Sequence, residues 1–68
     1  MTPNGSAIRS LRRARGMSLR QLSVITGYNR GYLSRVERRL AGASDHTLRG
    51  IAEALEVPVA AINREEAP

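Results

Sequence analysis

The residue types most capable of chemistry share one face of a predicted helix at residues 30–39. With about 100° between successive residues, the inward side of this helix is apolar, and the outward side is cationic and small. The outward side consists of Arg30, Gly31, Ser34, Arg35 and Arg38, with Arg39 at its edge. Guanidinium groups pair with phosphate oxygens and with the edge of guanine through two parallel hydrogen bonds. The pattern indicates a surface for a polyanion, although a face of merely solvated arginines would look the same in sequence.

No set of side chains predicts catalysis or a metal site. The chain has one histidine, His46, and no cysteine, whereas zinc sites draw on several such ligands. The serines, Ser18 and Ser44 among them, lack the paired base that activates a hydroxyl nucleophile. We therefore predict that the protein is not an enzyme, that it holds no metal and no cofactor, and that His46 lies on the surface.

Charge is distributed unevenly along the chain. Eleven basic residues, all of them arginine, stand against six acids, so the net charge is +5. Residues 1–40 carry nine arginines and one acid, Glu37, whereas residues 41–68 carry two arginines and five acids. A basic part joined to an acidic part favours a polyanionic partner. With two tyrosines and neither Phe nor Trp, the chain is poorly suited to binding by base stacking.

The length and hydropathy of the chain limit its class. With 68 residues it is long enough for one domain. A domain of this size hides only about 60% of the surface of its unfolded chain, so a deep cleft is not expected. No apolar run approaches the roughly 18 residues of a membrane span, and residues 1–6 lack the features of a signal peptide. We expect a cytoplasmic protein that does not engage a membrane.

The apolar periodicity predicts an all-α fold of five helices, and no segment alternates as a half-buried strand would. The first helix is predicted at residues 7–15, with Ser6 as its N-cap and Gly16 ending it. The predicted domain boundaries are a flexible N-terminus at residues 1–5, a folded domain at 6–62 and a loose tail at 63–68.

The second and third helices have the clearest local boundaries. Ser18 and Gln21 have the spacing of a capping box in front of a second helix at residues 19–26. Gly27 permits a positive φ after that helix, and Asn29 can cap the third helix.

The remaining elements are shorter or less sharply bounded. Ser44 or Asp45 begins a fourth helix, and Pro58 suits the first turn of a short fifth helix. The inward-facing residues predicted for the five helices are, in order, Ile8, Leu11 and Ala14; Leu19, Leu22 and Ile25; Leu33, Val36 and Leu40; Leu48, Ile51, Ala52 and Leu55; and Val59 and Ile62.

A capped helix, the turn at residues 27–29 and the basic helix together form a helix-turn-helix, with Ser23 small where the two helices cross. Here the sequence resembles the lambda-repressor-like, or XRE-type, helix-turn-helix domains of phage repressors, Cro proteins and bacterial regulators. The resemblance covers about residues 7–62 without a gap. It is carried by the stretches Ile8–Arg12, Gly16–Leu19, Gly27–Arg38, Ser44–Leu48 and Ile51–Leu55.

The resemblance implies that the third helix lies in the major groove of double-stranded DNA with its N-terminal half toward the base edges. The positions that match base-reading residues of the family are Arg30, Gly31, Tyr32 and Arg35. The positions that match phosphate contacts are Ser18, Leu19, Asn29, Ser34, Arg38 and Arg39. The resemblance also implies a buried salt bridge between Arg12 and Glu37 that holds the third helix at its angle.

The sequence departs from the family pattern at four positions. Leu19 replaces a common glutamine and can offer a phosphate only its backbone amide. Arg39 and Glu56 stand where the family commonly has a left-handed glycine, and Ala43 replaces a frequent proline. For Arg39 the alternative is a third helix that continues to Leu40 and ends near Gly42.

The resemblance therefore implies a sequence-specific transcriptional regulator, expected as a homodimer on a palindromic operator, with RNA polymerase or another protein as a possible further partner. The residues considered for a dimer contact are Val57, Val59, Ala60 and Ile62. Two alternatives stay open: an antitoxin-type autoregulator with a toxin partner, and an interaction adaptor that uses its basic face. Interfaces between proteins favour aromatic side chains and shed charge, which disfavours the adaptor.

Overall fold

The computed structural model describes residues 2–64 and confirms the all-α fold class. Four α-helices are present: α1 (Gly5–Ala14), α2 (Leu19–Thr26), α3 (Arg30–Glu37) and α4 (Asp45–Leu55). The predicted fifth helix is a single 3-10 turn, Val59–Ala61. Two short strands, β1 (Thr2–Pro3) and β2 (Asn63–Arg64), lie near the ends of the described chain. No helix within residues 2–64 is long and apolar enough to cross a membrane.

The cap of α1 differs from the prediction. Asn4, not Ser6, is the N-cap, with its side-chain oxygen accepting from Ala7 N at 3.1 Å. Asn and Ser are both good caps, so local preference does not separate them. A non-local bond favours the earlier start, because Asn4 N donates to Ile62 O at 2.7 Å.

The boundaries of α2 and the beginnings of α3 and α4 match the prediction. Ser18 Oγ accepts from Gln21 N at 3.0 Å while Gln21 Oε1 accepts from Ser18 N at 2.7 Å, which completes the capping box. Gly27 is left-handed, with φ +77°. Asn29 caps α3 by accepting from Tyr32 N at 3.1 Å, and Ser44 caps α4.

The C-terminus of α3 resolves the alternative at Arg39. The helix ends at Glu37, and Arg39 is left-handed with φ +63°. Arg39 N donates to Val36 O at 3.1 Å and Leu40 N donates to Arg35 O at 2.7 Å, the paired bonds of a Schellman motif. A helix continuing to Leu40 is therefore wrong. The same motif ends α1 at Gly16 and α4 at Glu56, both left-handed.

The core lies where α2, α3 and α4 meet, with α1 and the 3-10 turn closing it. Its buried apolar residues are Ile8, Leu22, Leu33, Val36, Leu48, Ile51, Ala52, Leu55 and Ile62. Of the predicted inward-facing residues, Leu11, Leu19 and Val59 are half-buried and Ala14 is exposed. Because Ile62 is 0% exposed within one chain, it is unavailable for the dimer contact considered above.

Besides Ala14, two large apolar residues predicted to lie in the core are exposed. Ile25 is 58% exposed because the inward face of α2 runs through Leu19, Leu22, Ser23 and Thr26, and the last two are polar. Leu40 is 64% exposed because the chain reverses at the left-handed residue before it.

The segments expected to be loose contain a ladder. Thr2 pairs with Arg64 and Pro3 with Asn63 in an antiparallel arrangement. Two-residue strands are too short for an alternating pattern, so the sequence does not reveal them. Asn4 and Gly5, also predicted to be loose, are the cap and the first residue of α1. Residue 1 and residues 65–68 of the predicted loose ends lie outside the described chain.

Candidate nucleic-acid interface

The helix-turn-helix is fixed by hydrogen bonds within its turn. Ser23 Oγ donates to Tyr28 O at 2.6 Å, and Thr26 Oγ1 accepts from Tyr28 N at 3.3 Å while donating to Leu22 O at 2.8 Å. Two of these bonds tie Tyr28 of the turn to α2, and the third holds the Thr26 side chain against its own helix. The angle between α2 and α3 is therefore set by the turn as well as by the core.

The two faces of α3 differ as the sequence predicts. Leu33 and Val36 are each 1% exposed and anchor the helix in the core. The opposite face carries the exposed residues Arg30, Gly31, Arg35 and Arg38, with Ser34 half-buried beside them. The guanidinium groups thus lie on the exposed face of a helix whose opposite face is packed in the core.

An ion pair joins α1 to α3. Arg12 Nε donates to Glu37 Oε2 at 2.8 Å and Arg12 Nη2 donates to Glu37 Oε1 at 3.0 Å, so the pairing is bidentate. Arg12 Nη1 also donates to Met17 O at 2.8 Å. The two side chains are 10% and 4% exposed. Glu37 is the one acid in residues 1–40, so this pair engages the single acid of the basic part of the chain.

A second contact between α1 and α3 is not predicted from the sequence. Gly5, in the first turn of α1, lies directly on the backbone at the end of α3. A Cβ at Gly5 would overlap the carbonyl oxygens of Val36 and Glu37. Gly5 and Glu37 lie thirty-two positions apart in the chain, so no local pattern links them. One signal in the sequence could have indicated this contact: Gly5 stands in the first turn of α1, although glycine is a poor helix former.

Gly31 leaves the outward face of α3 open. A Cβ there would stand 3.0 Å from Asn29 Oδ1, the capping oxygen, and 3.6 Å from Arg35 Nη1. Apart from its chain neighbours and the backbone of α3 itself, no other described atom lies within 4 Å of that position, so no backbone from another element packs on Gly31. The space in front of it is available to a partner of the protein.

Tyr32 links α3 to the loop that follows it. Its hydroxyl donates to Gly42 O at 2.7 Å, and its ring meets Tyr28 edge to face with centroids 6.4 Å apart. Burial raises the pKa of Tyr32 above its usual value, as does nearby Tyr28, while Arg35 opposes the shift. With its hydroxyl hydrogen engaged by Gly42, Tyr32 has only oxygen lone pairs to offer a base or a phosphate.

The residues predicted to contact phosphate lie at three places. Ser18 and Leu19 are at the beginning of α2, where an α-helix leaves its first amides without internal partners. Asn29 is the cap of α3, and Ser34 lies within that helix. Arg38 and Arg39 are exposed at its end, and Arg38 Nε makes a long bond of 3.4 Å to Ser34 O.

One cation near this surface was not predicted as part of it. Arg20, on α2, lines the same shallow groove as Ser23, Val24, Asn29 and Arg30. The positive surface therefore extends from α3 onto α2. Among residues 2–64 no group of three His, Asp or Glu residues is placed to hold a metal ion.

Comparison with known proteins gives consistent matches. A family model, HTH_3, described as helix-turn-helix, matches residues 8–62. No curated protein sequence matches the chain significantly.

Solved structures of regulators are similar to the chain. The restriction-modification controller protein C.AhdI from Aeromonas hydrophila has a TM-score of 0.81 and 32% identity, over 84% of this chain and 86% of that one. The clp gene regulator ClgR from Corynebacterium glutamicum has a TM-score of 0.80 and 38% identity, over 82% of this chain and 60% of that one. SinR, a master regulator for biofilm formation in complex with DNA, has a TM-score of 0.78 and 33% identity, over 82% of this chain and 90% of that one.

Proposed function

The chain belongs to the HTH_3 helix-turn-helix family of XRE-type regulators, and we propose that it is a sequence-specific regulator of transcription that binds double-stranded DNA. One observation carries the proposal. The outward face of α3 presents Arg30, Arg35 and Arg38 exposed and side by side, while the acid beneath them is paired with Arg12. The similarity to SinR, whose structure was solved in complex with DNA, supports the same partner.

We propose that α3 enters the major groove with its N-terminal half toward the bases. The groove admits an α-helix, and the missing side chain of Gly31 allows the backbone of α3 to approach closely. Arg30 and Arg35 flank that position and can each pair bidentately with guanine O6 and N7. Tyr32, through its remaining lone pairs, completes the proposed base-reading set.

Phosphate contacts set the position of the protein on the duplex. We assign them to Ser18, to the Leu19 backbone amide, to Asn29 and Ser34, and to Arg38 and Arg39. Such contacts supply affinity and register but carry no sequence information. Because Leu19 has no polar side chain, the beginning of α2 contributes through its backbone amides and the positive end of the helix dipole.

We propose a homodimer on a two-fold symmetric operator. A dimer of helix-turn-helix units reads two half-sites about one helical turn apart, or a multiple of it. Exposed Ala60 and half-buried Val57 and Val59 offer the apolar surface for such a contact. Regulation would then follow from occupancy, either by blocking RNA polymerase or by touching it, and a protein acting on DNA in this way works in the cytoplasm.

In vitro selection from a random pool of duplexes, at a stated salt concentration, tests the proposal. The parent should enrich a palindrome with half-sites centred about 10 base pairs, or a multiple of that, apart. A variant with Arg30→Ala and Arg35→Ala, selected in parallel, should enrich no consensus. If the parent enriches nothing over the starting pool, the protein does not read DNA sequence, and the adaptor alternative gains support.

A further inference from the structure

A groove runs along the outer side of α2, where it meets the end of α1. Its lining residues are Arg15, Gly16, Met17, Arg20, Gln21, Val24 and Ile25. It is an open surface groove and not an enclosed cavity, so it suits an extended or helical segment better than a small molecule. Its lining combines the apolar side chains of Met17, Val24 and Ile25 with the guanidinium groups of Arg15 and Arg20.

Two of the apolar side chains in this groove have no role in the core. Val24 is 76% exposed and Ile25 is 58% exposed. On a helix, residues four apart lie side by side, so Arg20 adjoins Val24 and Gln21 adjoins Ile25. The surface of α2 therefore presents an aliphatic pair next to a guanidinium group and an amide.

The proposed DNA contacts do not account for this pair. Phosphates are bound by polar and charged groups, and the aliphatic pair lies on α2 and not on the outward face of α3, where the base-reading residues are proposed. The groove nevertheless borders that surface, because Arg20 and Val24 also line the groove beside Asn29 and Arg30. An occupant of the α2 groove would thus sit next to bound DNA.

The charged residues that line the groove indicate the charge of its partner. Arg15 and Arg20 are the only charged residues that line the groove. Arg15 Nη1 donates to Glu56 Oε2 at 2.6 Å on the surface, whereas none of the ion pairs described for residues 2–64 involves Arg20. A two-fold contact between copies of this groove would oppose like charges, which disfavours association.

We propose that this groove binds an acidic, amphipathic helical segment of another protein. The apolar stripe of that segment would pack on Val24, Ile25 and Met17, and its carboxylates would face Arg20, since Arg15 is paired with Glu56. The affinity would come mainly from the aliphatic contacts, because exposed ion pairs contribute little, while the arginines would select against basic partners. This inference does not depend on the proposed DNA sequence recognition.

The test uses a labelled synthetic peptide of about fifteen residues, four helical turns. It carries Leu at positions i, i+3, i+4 and i+7 and Glu at the exposed positions. A second peptide has Lys in place of every Glu, and a third has the acidic composition in scrambled order. Fluorescence anisotropy measures binding to the full chain, and amide NMR shifts locate it.

Three variants give the decisive comparison. Replacing both Val24→Ser and Ile25→Ser should weaken the acidic peptide about tenfold or more, the value of burying one aliphatic side chain. Arg20→Glu should weaken the acidic peptide and strengthen the basic one. Leu40→Ser is the matched control, because Leu40 is similarly exposed but lines a different surface beside Thr2 and Arg64, and it should change nothing.

Several results would overturn the proposal. These are no binding of the acidic peptide, equal binding of all three peptides, or an equal loss with Leu40→Ser. Titration with a DNA duplex separates the two surfaces, since a tenfold loss of DNA affinity in the double serine variant would assign the groove to DNA. Sedimentation tests whether a second copy of this chain occupies the groove. If the parent is a dimer and the double serine variant is a monomer, the groove is a contact between copies of this chain.

Discussion

The carboxylate of Glu37 lies beneath α3 and accepts from two nitrogens of Arg12 at 2.8 and 3.0 Å. Their burial makes the pair sensitive to the loss of one partner, because the other charge is then left without compensation. The pair also joins the helix that carries the exposed arginines to α1. At the scale of single residues, this pair and Gly5 are two contacts that join α3 to α1.

Removing one member of the Arg12–Glu37 pair should destabilise the fold more than removing both. We expect Glu37→Ala to lower the free energy of unfolding by about 3–5 kcal/mol, measured by urea denaturation. A double variant with Arg12→Met and Glu37→Leu, which leaves no buried charge, should lose less. A Glu37→Ala loss within about 0.5 kcal/mol, the range of ordinary surface changes, would show that the pair does not hold the fold.

Gly5 should tolerate no side chain. Because a Cβ would overlap the carbonyl oxygens of Val36 and Glu37, we expect Gly5→Ala to cost about 1–3 kcal/mol, the usual range for overpacking. Gly42→Ala is the matched control, since no described atom beyond its chain neighbours lies within 4 Å of a Cβ at that position. Equal thermal stability of the two variants would mean that α1 does not pack on the end of α3 as described.

The hydroxyl of Tyr32 should make stability depend on pH in the alkaline range. Burial raises the pKa of Tyr32, with Tyr28 adding to the shift and Arg35 opposing it. A raised folded-state pKa gives stability that is present below the unfolded value of about 10 and is lost as pH rises through the folded value. The free energy of unfolding should therefore fall less steeply above about pH 10 in Tyr32→Phe than in the parent. Parallel curves for parent and variant would contradict this assignment.

At the scale of the elements, local chemistry determines most boundaries. The capping box at Ser18 and Gln21, the cap at Asn29 and the left-handed Gly27 each depend on residues within a few positions, and the sequence predicts them. The cap of α1 depends on a contact with a distant residue, because Asn4 bonds to Ile62. The end of α3 depends on the left-handed φ of Arg39, which the sequence does not determine. Both Arg39 and Glu56 adopt a conformation that glycine adopts more readily.

The left-handed conformation of Arg39 should carry a measurable cost. Because Arg39 has φ +63°, Arg39→Gly should raise the free energy of unfolding by up to about 1 kcal/mol. Arg38 precedes it with φ −91°, so Arg38→Gly is the control and should not stabilise. Thermal unfolding of both variants compares them, and a less stable Arg39→Gly protein would argue for a longer α3.

At the scale of the whole molecule, the sequence predicts the helix order and most of the core, because both follow from helical periodicity. It misses the β1–β2 ladder and the Gly5 contact, since each joins residues far apart in the chain. It also places Ile25 in the core, because an apolar residue three positions after Leu22 fits the pattern equally well. Ser23 and Thr26 occupy that side of α2 instead, held by hydrogen bonds to backbone carbonyls.

The separation of sequence recognition from backbone binding is the central claim for the whole molecule. Arg35 lies within α3 at a proposed base-reading position, whereas Arg38 lies at its C-cap. Base edges carry sequence information and phosphates do not. Truncating Arg35 should therefore reduce sequence specificity, whereas truncating Arg38 should reduce the affinity for any duplex.

The most direct measurement titrates Arg35→Ala and Arg38→Ala against a selected duplex and its scrambled counterpart over a series of salt concentrations. Arg35→Ala should lose about 1–3 kcal/mol on the selected duplex and much less on the scrambled one. Arg38→Ala should weaken both duplexes alike and reduce the salt slope by about one. Equal losses on both duplexes for Arg35→Ala, or unchanged binding in both variants, would contradict the account.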